Sequence, residues 1–135
     1  AVATIETPSF VFSLLRLTDG TVTSGHSDCA VRLWDWRRRE AVGELLGHTV
    51  VVRGMAQLPD GRLASVSEDK TVRIWDAAAR ACVGVVTESV ELYCCVTADG
   101  GLAVACEDGT VVVLGFAWGR RSAAVVGWEA IRWAE

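Results

Sequence analysis

Apolar and polar positions alternate along this chain in short runs of about five or six residues, each ending at glycine, aspartate or serine. The runs at 52–58 (VRGMAQL), 62–67 (RLASVS) and 71–76 (TVRIWD) are typical. They are rich in β-branched and apolar residues, which favour a pleated, half-buried strand. No stretch sustains the 3.6-residue period of an amphipathic helix. The pattern predicts an all-β chain of short antiparallel strands.

The pattern also repeats. Asp19-Gly20, Asp60-Gly61 and Asp99-Gly100 lie 41 and 39 residues apart, each between two apolar runs, where a hairpin turn belongs. Asp28, Asp69 and Asp108 recur at the same spacings, and so do Trp34-Asp35, Trp75-Asp76 and the degenerate Leu114-Gly115. Each unit then reads as four strands. The first precedes the Asp-Gly turn and the second follows it. The third is AVRLWD, TVRIWD or TVVVLG, and the fourth AVGELLG, ACVGVVT or, at 123–128, AAVVGW.

A unit of about forty residues, opened by Gly47-His48 and closed on its third strand by Trp75-Asp76, resembles the WD-repeat family of β-propellers. The resemblance implies three four-stranded antiparallel blades: 8–46, 47–86 and 87–128. Residues 1–7 (AVATIE and Thr7) align with the fourth-strand run VGELLG and are expected as an outer strand of a preceding blade. Residues 129–135 are left as a C-terminal tail. Three blades do not close a ring, and the chain opens at Ala1 rather than Met. The expectation is therefore a piece of a longer propeller, its C-terminal part, with further blades or a second copy needed for closure.

The resemblance also assigns roles. In the middle repeat His48, Ser65, Asp69 and Trp75 are expected to form a buried hydrogen-bonded tetrad rather than a Ser-His-Asp catalytic set, which would need an exposed serine and a cleft. The first repeat keeps a partial tetrad, Ser24, Asp28 and Trp34, with Thr7 in the histidine place. The third keeps only Asp108. Val104 and Leu114 replace serine and tryptophan there, with Thr87 or Ser89 at the histidine place. His26, near Asp28 and Cys29, could be a metal ligand, but it aligns with the strand-end Ser67 and is expected at the surface.

The resemblance implies a non-catalytic scaffold for a protein or peptide partner, and no cofactor or metal is expected. Partners of such propellers dock on the top face. The matching positions are Phe10, Phe12, Val51, Arg53, Val90 and Leu92, with Ser27, Glu68 and Glu107 before the turn aspartates. Two other readings stay open: a regulatory or sensor module of a larger signalling or enzyme protein, and a binder of ubiquitin or modified peptides that uses Glu68 and Glu107 at the channel.

Composition narrows this further. The net charge of −4 argues against nucleic acid, and the one basic run, Arg37-Arg38-Arg39, is followed by Glu40 and reads as a solvated loop. No apolar run is long enough for a membrane span. The five cysteines show no CxxC spacing and read as free thiols of an intracellular protein, cytoplasmic or nuclear.

Overall fold

The computed structural model describes residues 2–98, 101–115 and 129–133, with backbone alone for 98 and 129–133. The described residues form twelve strands, and none of them is helical. β1 (Val11–Arg16), β2 (Val22–His26), β3 (Val31–Asp35) and β4 (Glu40–Leu45) make the first blade. β5 (Val52–Gln57), β6 (Leu63–Ser67), β7 (Thr71–Asp76) and β8 (Ala81–Thr87) make the second. β9 (Leu92–Ala98), β10 (Gly101–Cys106), β11 (Val111–Gly115) and β12 (Glu129–Trp133) make the third. Each blade is an antiparallel meander in which every strand pairs with its sequence neighbour.

The turns show why the aspartates recur. Asp19, Asp60, Asp28, Asp69 and Asp108 each accept, through Oδ1, the backbone N–H two residues on. An aspartate that binds its own turn in this way lets the next residue take the left-handed conformation. Gly20 and Gly61 follow Asp19 and Asp60 at φ near 90°; Cys29, Lys70 and Gly109 follow Asp28, Asp69 and Asp108 at 74°, 70° and 82°. The aspartate of Trp-Asp closes the turn before the fourth strand. Asp35 accepts from the amides of Arg37 and Arg38, and Asp76 from that of Ala79.

Two apolar layers hold the blades together. Leu17, Val31, Leu33 and Leu45 of the first blade pack on Val52, Met55, Leu63 and Trp75 of the second. Leu58, Val66, Val72 and Ile74 of the second pack on Leu92, Leu102, Val104 and Leu114 of the third. The approach is close at Gly54, where an added Cβ would stand 3.1 Å from the Cys94 Cα.

Two boundaries differ from the sequence expectation. Residues 2–10 hold no strand: an outer strand needs a ladder partner, and the described residues offer none to this segment. The fourth strand of the third blade is Glu129–Trp133, paired along β11 from Val111↔Trp133 to Gly115↔Glu129, so these residues are not a tail. The 123–128 segment assigned to that strand lies outside the described residues.

Candidate functional site

The middle blade brings His48, Ser65, Asp69 and Trp75 together. Trp75 Nε1 donates to Ser65 Oγ at 2.8 Å, and Ser65 meets His48 Nε2 at 2.6 Å. His48 Nδ1 lies 2.7 Å from Asp69 Oδ2. The proton positions follow. The indole N–H occupies the serine oxygen, so the hydroxyl donates to Nε2, and Nδ1–H donates to the carboxylate. Asp69 also accepts from the Thr49 amide, the Thr71 amide and the Thr71 hydroxyl, so every lone-pair direction is used. Gly47 makes room: a Cβ there would stand 2.8 Å from Arg73 Nη1 and 3.2 Å from Trp75 Cη2.

Burial lowers the His48 pKa below its ordinary 6.5, against the raising effect of Asp69. Burial pushes the Asp69 pKa up, but the bonds from Thr71, His48 and Thr49 outweigh it and hold the carboxylate below its usual range. The pair is therefore a neutral imidazole beside a charged carboxylate. Ser65 is fully buried and the His48 side chain is sealed, so neither can meet a substrate.

The first blade solves the same problem with different residues. Trp34 Nε1 donates to Ser24 Oγ at 2.6 Å, as expected. Ser24 then meets His26 Nε2, also at 2.6 Å, and His26 Nδ1 meets Ser9 Oγ at 3.1 Å. His26 is fully buried, which corrects its assignment to the surface. Thr7 is smaller than histidine and bonds the Ser9 carbonyl instead, and the longer His26 side chain, at the Ser67 position, reaches back to the serine.

Asp28 does not touch His26. It takes a bidentate pair from Arg32, with Nη1–Oδ1 at 3.0 Å and Nη2–Oδ2 at 2.7 Å, while Arg32 Nε reaches Glu44. The Arg32 hydrogen bonds lower the Asp28 pKa to about 2. Among the described residues no group of three or more metal-ligating side chains is gathered as a metal site.

The top rim differs from its sequence assignment in the third blade. In each blade the residue before the turn aspartate donates its amide to the entering segment: Ser27 to the Phe10 carbonyl, Glu68 to Val51 and Glu107 to Glu91. Glu91, not Val90, is thus the counterpart of Phe10 and Val51, and Tyr93, not Leu92, that of Phe12 and Arg53. Val90 packs against the inter-blade core and Leu92 is fully buried. The cause is hairpin length. Between the paired Gln57 and Leu63 the second blade's first hairpin holds five residues, whereas between the matching pair Thr97 and Leu102, which encloses Ala98↔Gly101, the third's holds four. Spacings counted from Asp99-Gly100 therefore slip β9 by one, and a slip of one exchanges the two faces of a strand.

With the register corrected, one residue from each blade meets at this rim. The Arg53 guanidinium lies 4.9 Å from the Phe12 ring centroid and 5.3 Å from that of Tyr93, and Nη2 pairs with Glu68 at 3.2 Å. Tyr93 donates its hydroxyl to Glu91, a bond that raises the phenol pKa, and Glu107 stands exposed nearby. Phe10 is 80% exposed. At the opposite end Arg37–Arg39 form an exposed turn, with Arg38 near Asp35 and Glu40.

Comparison with known proteins agrees with this architecture. The model of the WD domain, G-beta repeat, matches residues 39–76. No curated protein matches the sequence. The WD40 β-propeller domain of Doa1 superposes with a TM-score of 0.74 at 26% identity, over 79% of this chain and 37% of that one. The β-propeller domain of Cps50 (Swd1) from Myceliophteria thermophila superposes with a TM-score of 0.77 at 17% identity, a likeness of fold alone, over 97% of this chain and 40% of that one. The chain thus spans well under half the length of these two structures. With four-stranded blades in series, a matched repeat at 39–76 and propeller neighbours, the chain contains a WD repeat and has the fold of WD-repeat β-propeller blades.

Proposed function

We propose that this chain is a non-catalytic protein-interaction module whose protein or peptide partner docks on the rim formed by Phe10, Phe12, Arg53, Glu68, Glu91, Tyr93 and Glu107. The observation that carries this reading is Arg53, held between the rings of Phe12 and Tyr93. Arginine and aromatic residues concentrate binding energy at protein interfaces. Stacking on two rings also fixes the guanidinium before a partner arrives, which reduces the entropy lost on docking. Phe10 supplies an exposed apolar anchor. The three glutamates favour a partner segment with basic residues. We place the module inside the cell, in cytoplasm or nucleus, a reading supported by the free thiols of Cys29, Cys82, Cys94 and Cys95.

The test compares proteins captured by the wild-type chain, by Arg53→Glu and Tyr93→Ala at the rim, and by Arg38→Glu at the opposite end. The expected result is a partner lost from both rim variants, kept by Arg38→Glu, with unchanged far-UV circular dichroism throughout. Equal capture by the wild type and both rim variants would refute the rim as the docking site.

A further inference from the structure

At the end of the molecule opposite the rim, the first and second blades enclose a groove between them. Its two lobes, of about 340 and 190 Å³, share Leu17, Asp19, Ala77 and Ala78. Leu17 and Leu33 are buried beneath it, and Ala77 packs on the same inter-blade layer. A polar bridge between the blades borders each lobe. Gln57 accepts the Thr18 amide through Oε1 at 2.9 Å and donates through Nε2 to the Thr18 hydroxyl at 3.3 Å. Arg80 donates to the Val42 carbonyl, and the missing side chain of Gly43 leaves room for its guanidinium.

The charges lining this groove do not balance. Arg62 is taken by Asp60, with Nη2 and Oδ2 2.6 Å apart, and Arg80 by the Val42 carbonyl. Asp19 and Asp76 have no cation among the described residues. Each uses Oδ1 on an amide of its own turn, that of Thr21 or Ala79, and keeps Oδ2 free to accept. The loop is also written differently in the two blades. After Asp35 come Trp36 and Arg37, with the Arg37 guanidinium 5.2 Å from the Trp36 ring centroid. After Asp76 come Ala77 and Ala78. The alanines leave open the volume that an indole and a guanidinium take at the same positions of the first blade.

We propose that this groove receives an arginine or lysine side chain from a protein partner, its aliphatic stem over Leu17, Ala77 and Ala78 and its charged head at Asp19 and Asp76. A cleft with an apolar floor and a few convergent polar groups is the usual form of a binding site. Basic side chains lay their stems along apolar surface and keep the charged head among polar groups, which matches this floor and these carboxylates. Hydrogen bonds from such a head to a carboxylate are of the strong, charge-assisted kind. An acidic side chain would meet two like charges instead. The Gln57 and Arg80 bridges hold the two walls in place before a partner arrives, which lowers the cost of docking. The groove and the Phe12–Arg53–Tyr93 rim lie at opposite ends, so this inference stands or falls apart from the docking proposal.

Amide chemical shifts of the isotope-labelled chain test it, in titrations with the peptide acetyl-Gly-Arg-Gly-amide and with versions carrying norleucine or glutamate in place of the arginine. The expected result is a saturable shift of the amides of Thr18, Thr21, Ala77 and Ala79 with the arginine peptide, absent with the other two. Asp19→Asn and Asp76→Asn keep an oxygen for the turn amide and remove the charge. Each is expected to weaken binding by about fivefold, the upper end for a solvent-facing ion pair, with the rest of the spectrum unchanged. Ala78→Arg, at an exposed position, supplies the guanidinium from the chain itself and is expected to abolish the response. No shift, shifts confined to other parts of the chain, equal binding of the norleucine peptide, or a response indifferent to both aspartate substitutions would each overturn the proposal.

Discussion

At the residue scale, the tetrad shows what the buried polar residues of a blade cost and contribute. Each donor has an acceptor, so burial is tolerated; remove one member and another is orphaned. His48→Ala leaves Ser65 and Asp69 each short of a partner, and is expected to destabilise the chain by about 1–3 kcal/mol in urea unfolding. Trp75→Ala also opens a cavity in the first inter-blade layer, and is expected to cost about 3–5 kcal/mol.

The pH dependence follows from the same geometry. Burial holds the His48 and His26 pKa values below 6.5, so the unfolded chain binds protons more readily than the folded one. Their contribution is complete above about 6.5 and is lost as pH falls from there towards the folded pKa values. Asp69 and Asp28 act in a separate window. Their folded pKa values lie below 3.8, so their contribution is present above that value and disappears as pH falls through the folded pKa, about 2 for Asp28. Urea midpoints measured between pH 7 and 5 should fall in the wild type and fall less in His48→Ala. Equal slopes would show that His48 does not carry the effect.

At the element scale, β9 is the instructive strand. Its neighbours Cys94 and Cys95 alternate faces, as the pleat requires. Cys94 is exposed, whereas Cys95 packs on the inter-blade core, and burial pushes its thiol up to about 12. A thiol reagent at neutral pH should label Cys94 much faster than Cys95, read by mass spectrometry of the digest. The corrected register is also testable. Leu92→Ala is expected to lose about 2–5 kcal/mol of stability, whereas Tyr93→Ala should leave stability nearly unchanged. The reverse outcome would restore Leu92 to the surface. A bulge lies on the fourth strand opposite tryptophan in the first two blades, with Val42 and Val83 the extra residues beside the Trp34↔Ala41 and Trp75↔Cys82 pairs, whereas the β11–β12 ladder, with Leu114, runs without one.

At the scale of the whole molecule, stability is a sum of blades and the layers between them. Among the described residues the middle blade alone has a blade packed on each flank, and β6 is buried along its whole length. In hydrogen exchange the amides of β6 and β7 should therefore be the slowest, with those of β1 and β11 faster. Uniform protection across the three blades would contradict nearest-neighbour stabilisation. The third blade has Val104 and Leu114 in place of serine and tryptophan, both fully buried. Losing serine and tryptophan together leaves no orphaned donor, so apolar packing alone serves there.

Period, strand pattern and turn chemistry were legible in the sequence because they are local. Alternation, an aspartate two residues before the amide it accepts, and a Trp-Asp pair each act within a few neighbours of the chain. The four-stranded units follow from these and from the forty-residue repeat, and the blades and the middle tetrad from the family resemblance that the repeat carries. Three features needed the tertiary structure, because they depend on what fills space between segments distant in sequence. His26 is buried because Thr7 leaves a volume unfilled beside Ser24. Tyr93 rather than Leu92 reaches the rim because one hairpin is a residue shorter, and that reverses the faces of a strand without changing its composition. Arg53 is clamped because three blades bring Phe12, Arg53 and Tyr93 to one place, a meeting that no stretch of the sequence contains.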